Sequence, residues 1–252
     1  MKSNPSESSE ETVLVYGVHP TLEWLEQRAD QLEEIWLLEH GRGNLKKVAH
    51  EAQKQGVLVR YRPKAFLDRQ TPGKNHQGVI ARRKAFEYTD FEELVEVEEG
   101  KPQALLLLVG IQDAGNLGAL LRSAKGLGAR GVVLSQRDTS AVTDAALKAS
   151  AGAAATLPVA QVRNVKQAIR QLKDAGWWLL GLAPGGEQLP RFDLERPCVL
   201  ILGAEGSGLK PSVQKQCDAL LGIPMVDGWD SLNVSVSGGI ALYEWRRQTH
   251  NF

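Results

Sequence analysis

Three polar, glycine-bearing stretches of this 252-residue chain hold the side chains best suited to orient a ligand or assist a reaction: residues 113–122, 203–208 and 225–235. In the first, QDAGNLGALLRSA, Asn116 and Arg122 stand six residues apart. That is less than two helical turns, so their side chains leave different faces, although a guanidinium is long enough to reach back. Asn116 suits a plain helix N-cap, and Arg122 suits a surface or salt-bridged arginine. The alternative is a polar pair beside a ligand, with Gly118 permitting close approach. In the second stretch, LGAEGSGL, glycines leave backbone N–H and C=O groups bare, and Glu205 sits among them. Glycine loops bind phosphate where they open a helix, but a carboxylate in the loop repels phosphate. A ligand with a cationic or hydroxyl-bearing part fits better; a tight turn with an exposed acid is the plainer reading. In the third, SLNVSVSGG, Ser231, Asn233 and Ser235 alternate with Leu232, Val234 and Val236. This alternation predicts an extended or tightly turned segment laid along a ligand, or else a serine-rich cap on the last helix. The G-x-G-x-x-G order of a dinucleotide site is absent.

Each stretch follows an apolar run: ALLLLVG, CVLIL and ALLGIP. From residue 104 onward, strand-like and helix-like segments alternate, which predicts an α/β domain with a parallel sheet covered on both faces. Ligands of such sheets collect at the carboxyl ends of strands, so three loops on one edge would form one pocket. The stretch 231–239 is rich in Val, Ser, Asn and Gly, all poor helix formers. A chain accepts such local weakness where its backbone must touch something.

Residues 13–84 carry the pattern of a smaller α/β unit. It has a helix over GVHPTLEWLEQ, a strand in LEEIWLLEH, a helix over NLKKVAHEAQKQG capped by Asn44, and strands over VLVRYR and HQGVIARRK. Residues 85–103 read as an acidic linker and residues 1–12 as a disordered tail without the apolar core of a secretory signal. Net charge is zero, with 30 basic and 30 acidic residues, but it is a sum of blocks. Residues 42–84 hold twelve Lys or Arg and two acids, whereas residues 85–100 hold seven acids and no base. The basic block is either a solvated face or an RNA-facing patch. Tyr61, between Arg60 and Arg62, either packs into the small core or stacks on an unpaired base. Two cysteines and five histidines show neither a disulfide framework nor metal-ligand spacing, and there is no membrane-spanning run. A cytoplasmic protein without metal is expected.

Together, NLGALLRSA, LILGAEGSGL and IPM…SLNVSVSGGIALYE closely resemble the three motifs of the SpoU (TrmH) branch of the SPOUT RNA methyltransferases, over residues 104–247. VYGVHPTLEWL and HQGVIARR resemble the ribosomal-protein-like RNA-binding domain of one subgroup, the bacterial 23S rRNA guanosine 2′-O-methyltransferases. The resemblance implies a domain with a mostly parallel sheet and a deep trefoil knot over residues 104–252, and a homodimer that shares its active sites. It implies S-adenosyl-L-methionine as methyl donor, held largely by main-chain groups, with contacts at Leu202, Gly203, Ile223, Met225 and Leu232. It implies that Arg122 is the central catalytic residue, as general base or as a bidentate clamp on a flanking phosphate. A guanidinium pKa above about 12 makes the first role demanding. Asn116 would orient Arg122 or the ribose, and Glu205 would hold the arginine or order its loop. Ser231 and Asn233 would contact RNA or position Glu205 and the donor. Trp229 would stack on a base or on the partner subunit, or simply pack in its loop. The implied substrate is ribosomal RNA. The same chemistry on tRNA, or a non-catalytic RNA-binding assembly factor on this fold, are the alternatives.

Overall fold

A computed structural model describes residues 12–98, 100–227, 229 and 231–250. Apart from Thr12, which opens the first strand, the expected tail over residues 1–12 lies outside the described residues. The chain divides into two compact units between Glu87 and Tyr88.

The first unit runs β1 (Thr12–Tyr16), α1 (Val18–Arg28), β2 (Leu32–Leu38), α2 (Asn44–Lys54), β3 (Leu58–Arg62), α3 (Lys64–Gln70) and β4 (Val79–Lys84). Its sheet order is β1-β4-β2-β3, with β2 parallel to β3 and antiparallel to β4. Ile35, Leu37, Val48, Leu67 and Ile80 are buried, and the Trp36 ring meets Phe66 edge-on at 5.0 Å. The cap of α2 is Gly43, not Asn44, which lies one residue late and inside the first turn. Tyr61 does not face the small core. It is 57% exposed, because β3 is an edge strand with β2 as its one neighbour. The basic block is partly paired: Arg60 and Arg82 each reach Glu34 at 2.7 Å.

The second unit begins earlier than an acidic linker over residues 85–103 would have it. The Thr89 N–H donates to the Val159 carbonyl (2.8 Å), and the short helix α4 (Phe91–Val95) places Phe91 and Leu94 in the main core. The Trp177 indole N–H donates to the Val95 carbonyl at 2.7 Å. Apolar residues three apart turn inward while the acids between them stay outside, which the charge pattern alone conceals.

Then follow β5 (Ala104–Leu108), α5 (Ala114–Gly126), β6 (Gly131–Ser135), α6 (Asp144–Ala149), β7 (Val159–Val162), α7 (Val165–Asp174), β8 (Trp178–Gln188), β9 (Cys198–Leu202), α8 (Pro211–Gln214), β10 (Ala219–Gly222) and α9 (Val234–Thr249). The six strands pair in parallel in the order β10-β8-β9-β5-β6-β7. Strands β5, β6 and β9 are buried along their whole length. From β5 the chain winds outward through β6 and β7, then returns to lay β8, β9 and β10 on the other side. The order therefore reverses between β5 and β9, the switch point where such sheets open a crevice. The β8–β10 ladder jumps from Gly181–Leu220 to Glu187–Leu221, so residues 182–186 leave the sheet as a protruding arc.

Burial pushes the Cys198 thiol up to about 12 and, with the nearby Asp218 charge, the Cys217 thiol up to about 11, so neither is a thiolate at neutral pH. No described helix is long and apolar enough to cross a membrane.

Helix α5 lies against α6 with no room for a side chain at Gly118. A Cβ there would stand 2.4 Å from Ala149 Cβ and 2.5 Å from the Ala146 carbonyl oxygen. The close approach this glycine permits is to a neighbouring helix. Gly118→Ala should therefore lower unfolding free energy by about 1–3 kcal/mol through overpacking, despite the ~1 kcal/mol that alanine gains in helix propensity. Urea denaturation checks this, and a more stable variant would contradict the packing described.

Candidate active site

The N-cap of α5 is Asp113, whose Oδ1 accepts from the Asn116 N–H at 2.7 Å. Asn116 is thus not the cap. It lies in the first turn, and its side chain reaches across to the loop after β9, where Nδ2 donates to Glu205 Oε1. Its Oδ1 accepts from Asn233 Nδ2 at 3.0 Å. Asn233 is itself the N-cap of α9, its Oδ1 accepting from the Ser235 N–H (2.8 Å), the Ser235 hydroxyl (2.6 Å) and the Val236 N–H (3.4 Å). These contacts give the chain of hydrogen bonds one direction. Backbone N–H groups at the start of α9 occupy the Asn233 oxygen, so its amide nitrogen must donate to Asn116. The Asn116 nitrogen is then left to donate to Glu205, an acceptor when ionised.

The helix at residue 234 also corrects the extended reading of SLNVSV. Only residues 231–233 lie outside α9, and Ser235 and Val236 form its first turn. The cap at Asn233 and burial of Val234 outweigh poor propensity.

A pocket of about 440 Å³ opens at the carboxyl ends of β8, β9 and β10. It is lined by Leu202, Gly203, Ile223, Met225 and Leu232, together with Glu205, Ser231 and Asn233. Gly203 is required by its surroundings: a Cβ would lie 2.2 Å from the Gly208 carbonyl group and 2.4 Å from the Leu209 nitrogen. The loop folds back so tightly that Gly208 N–H donates to the Ala204 carbonyl at 2.8 Å. The pocket therefore offers main-chain groups, apolar walls and one carboxylate. Leu182, Ala183 and Pro184, on the arc of β8, complete its wall. The sequence reading passed over them; the signal was Pro184 and two glycines inside a strand pattern.

A second cavity of about 350 Å³ lies on the other side of the same loop, lined by Gln112, Asp113, Asp138, Glu205 and Lys210 among others. Lys210 Nζ meets Asp138 Oδ2 at 2.8 Å. With a further hydrogen bond from Ser135, it holds the Asp138 carboxyl below its usual range. Glu205 belongs to the wall between the two cavities.

Arg122 is not brought to this site within the chain. It is exposed on α5, lines neither cavity and makes no hydrogen bond or ion pair with a described residue. Six residues of helix carry it about 9 Å along the axis and roughly 120° around from Asn116. Trp229 is 64% exposed, so it does not pack within its loop. Among the described residues, no group of His, Cys, Asp and Glu is arranged to hold a metal ion.

Residues 103–243 match the family model of the SpoU rRNA Methylase family, and residues 14–89 match that of RNA 2′-O ribose methyltransferase substrate binding. A parallel α/β domain with a main-chain-lined pocket, preceded by a substrate-binding unit, defines a two-domain RNA methyltransferase. The chain belongs to the SpoU family of rRNA methylases. It is 34% identical over 241 residues to the 23S rRNA (guanosine-2′-O-)-methyltransferase RlmB of Shewanella oneidensis, spanning 93% of this chain and 97% of that one. In fold it matches the SpoU methyltransferase AviRb from Streptomyces viridochromogenes, solved with AdoMet. The TM-score is 0.68 at 23% identity, covering 94% of this chain and 90% of that one. An AdoMet-bound rRNA methyltransferase from Sinorhizobium meliloti gives a TM-score of 0.66 at 23% identity, covering 95% and 88%.

Two substitutions separate the structural from the chemical role of Asn233. Asn233→Ala removes the cap of a 16-residue helix and should lower stability by about 1 kcal/mol. Asn233→Asp keeps the capping oxygen and should hold stability near wild type, while losing the amide donor to Asn116. Paired denaturation curves check this; equal destabilisation by both would show that capping is not what Asn233 contributes.

Proposed function

We propose that this protein transfers a methyl group from S-adenosyl-L-methionine to a ribose 2′-hydroxyl of ribosomal RNA, at a guanosine of 23S rRNA. Support comes from the likeness to RlmB along nearly the full length of both chains, and from the AdoMet held by two proteins of the same fold. The observation that carries the reading is the pocket at the carboxyl ends of β8, β9 and β10, with Glu205 in its wall. The pocket fits the donor by chemistry. Bare main-chain groups of residues 202–208 suit its polar ends, Ile223, Met225 and Leu232 suit its adenine ring, and about 440 Å³ lies in the range of small-molecule sites. Bound there, the donor would supply a methyl group on a cationic sulfonium, a charge that a carboxylate tolerates and a phosphate-binding loop would not.

The chain's own residues divide the remaining work. Asn116 and Asn233 hold Glu205 in one orientation, so the loop between the two cavities keeps its shape. The second cavity receives the ribose. The role of Arg122 is to grip a flanking phosphate in a planar fork and to lower the pKa of the attacking hydroxyl, which eases loss of the proton.

Arg122 reaches a pocket by way of a second copy. Val236 (48% exposed), Ile240 (36%) and Tyr243 (53%) form an apolar stripe along α9 at helical spacing, on a helix packed against α5. A homodimer seated on that stripe covers it and carries the exposed arginine of one protomer to the pocket of its partner. The trefoil knot, with residues 231–233 threading past the loop at 203–208, and a cytoplasmic location beside the ribosome belong to the same reading.

Purified protein given labelled S-adenosylmethionine and unmodified rRNA should place the label on a ribose 2′-oxygen, read as an alkali-resistant dinucleotide; absence of label from rRNA would refute the reading. Arg122→Lys should cut turnover by about 10²-fold or more, and near-wild-type turnover would remove any need for the planar fork. Ile240→Asp should give monomers by sedimentation and abolish transfer. A dimer that survives this change would move the interface elsewhere.

A further inference from the structure

The first unit carries an exposed groove that nothing in the catalytic unit explains. It lies between α2 and the edge strand β3, with a volume of about 510 Å³. Lys46, Ala49, His50 and Gln53 line one side, spaced three and four apart so that they share a face of α2. Leu58, Val59 and Tyr61 line the other side. Leu58 is 52% exposed and Tyr61 57% exposed, in a unit whose other large apolar side chains are mostly buried. An aromatic ring and a leucine held at an open edge beside lysine form a surface with both an apolar and a cationic part. The charge around it is uncompensated: Lys46 and Lys47 make no ion pair with a described residue. The nearby Glu51 is already engaged by Gln55 and Lys54, whose hydrogen bonds hold its carboxyl below the usual range. Arg60, on the same strand, is tied to Glu34 and takes no part.

We infer that this groove is a subsite for an unpaired nucleotide of the RNA substrate: Tyr61 stacks on the base, Leu58 flanks it, and Lys46 meets the adjoining phosphate. Every base has a π-face that an aromatic side chain can cover, and bases are free to be covered where RNA is single-stranded. A lone lysine at the rim supplies the salt-dependent phosphate contact. A peptide added to the β3 edge would also meet Leu58. It would gain nothing from the net positive rim unless acidic, and the unit belongs to a substrate-binding family whose named substrate is RNA. The inference rests on the RNA-methylating reading and places one step of substrate recognition in the first unit.

The test uses the full chain and a labelled oligoadenylate of about ten nucleotides, with a duplex of equal length as comparison. Binding is followed by fluorescence anisotropy. Wild type should prefer the single strand. Tyr61→Ala should weaken it by about five- to a hundredfold, the loss expected for one stacked base, whereas Tyr61→Phe, which keeps the ring, should bind close to wild type. Lys46→Ala should weaken binding and flatten its salt dependence by about one in the log–log slope. Both side chains are at the surface, and circular dichroism confirms that the three variants fold. No preference for the single strand, or equal binding by wild type and Tyr61→Ala, overturns the inference and leaves the edge to a peptide. Methyl transfer to rRNA is measured in parallel. Transfer that persists while Tyr61 proves irrelevant to binding sinks the groove alone. Loss of oligonucleotide binding in Tyr61→Ala without any transfer by wild type sinks the catalytic reading alone.

Discussion

The amide of Asn233 organises the second unit's active edge. Its oxygen is claimed by N–H groups at the start of α9, and that claim decides which way its nitrogen points. From there the donor–acceptor sense passes to Asn116 and ends on Glu205. Three loops, after β5, β9 and β10, are linked by two side-chain contacts, and each contact can be made in only one sense. An amide elsewhere could flip at little cost; here a flip would set a donor against donors. The helix that looked weakest by propensity is thus the one whose terminus orders the site.

Much of this architecture was legible from residue order. The apolar runs at 104–109 and 198–202 did become buried central strands, and the three polar loops did converge on one edge of a parallel sheet. What stayed hidden depended on facts that periodicity does not carry. Asp113, not Asn116, took the cap because the helix began three residues earlier than a cap at Asn116 would have it, which freed Asn116 to cross to another loop. The arc over residues 182–186 was hidden because only the partner β10 shows that the ladder skips them. The acids around Phe91 and Leu94 masked two core residues as linker. Arg122 could be named from its motif, and its exposure on α5 matches the surface-arginine reading of the pattern, not a place beside the ligand of its own chain.

Charge counting misled in a similar way in the first unit. Twelve basic residues in 42–84 suggest one broad cationic face. The fold divides them. Arg60 and Arg82 converge on Glu34, a carboxylate only 11% exposed, and their charge is spent on that pairing. The cations of α2 remain outside, beside the one aromatic residue that β3 leaves open. Phosphate affinity therefore depends on a minority of the block, and the basic residues most tightly bound in the fold contribute least to it.

The arc at 182–186 has an evolutionary side. The β8–β10 ladder resumes at Leu221 and Glu187 as though the five intervening residues were not there. Residues 182–185 can change without disturbing the register of either strand, while the wall they form is resculpted; Gly186 cannot, since a Cβ there would stand 2.5 Å from the Leu220 carbonyl oxygen. Divergence in what related chains accept at this mouth is thereby uncoupled from the stability of the scaffold that carries it.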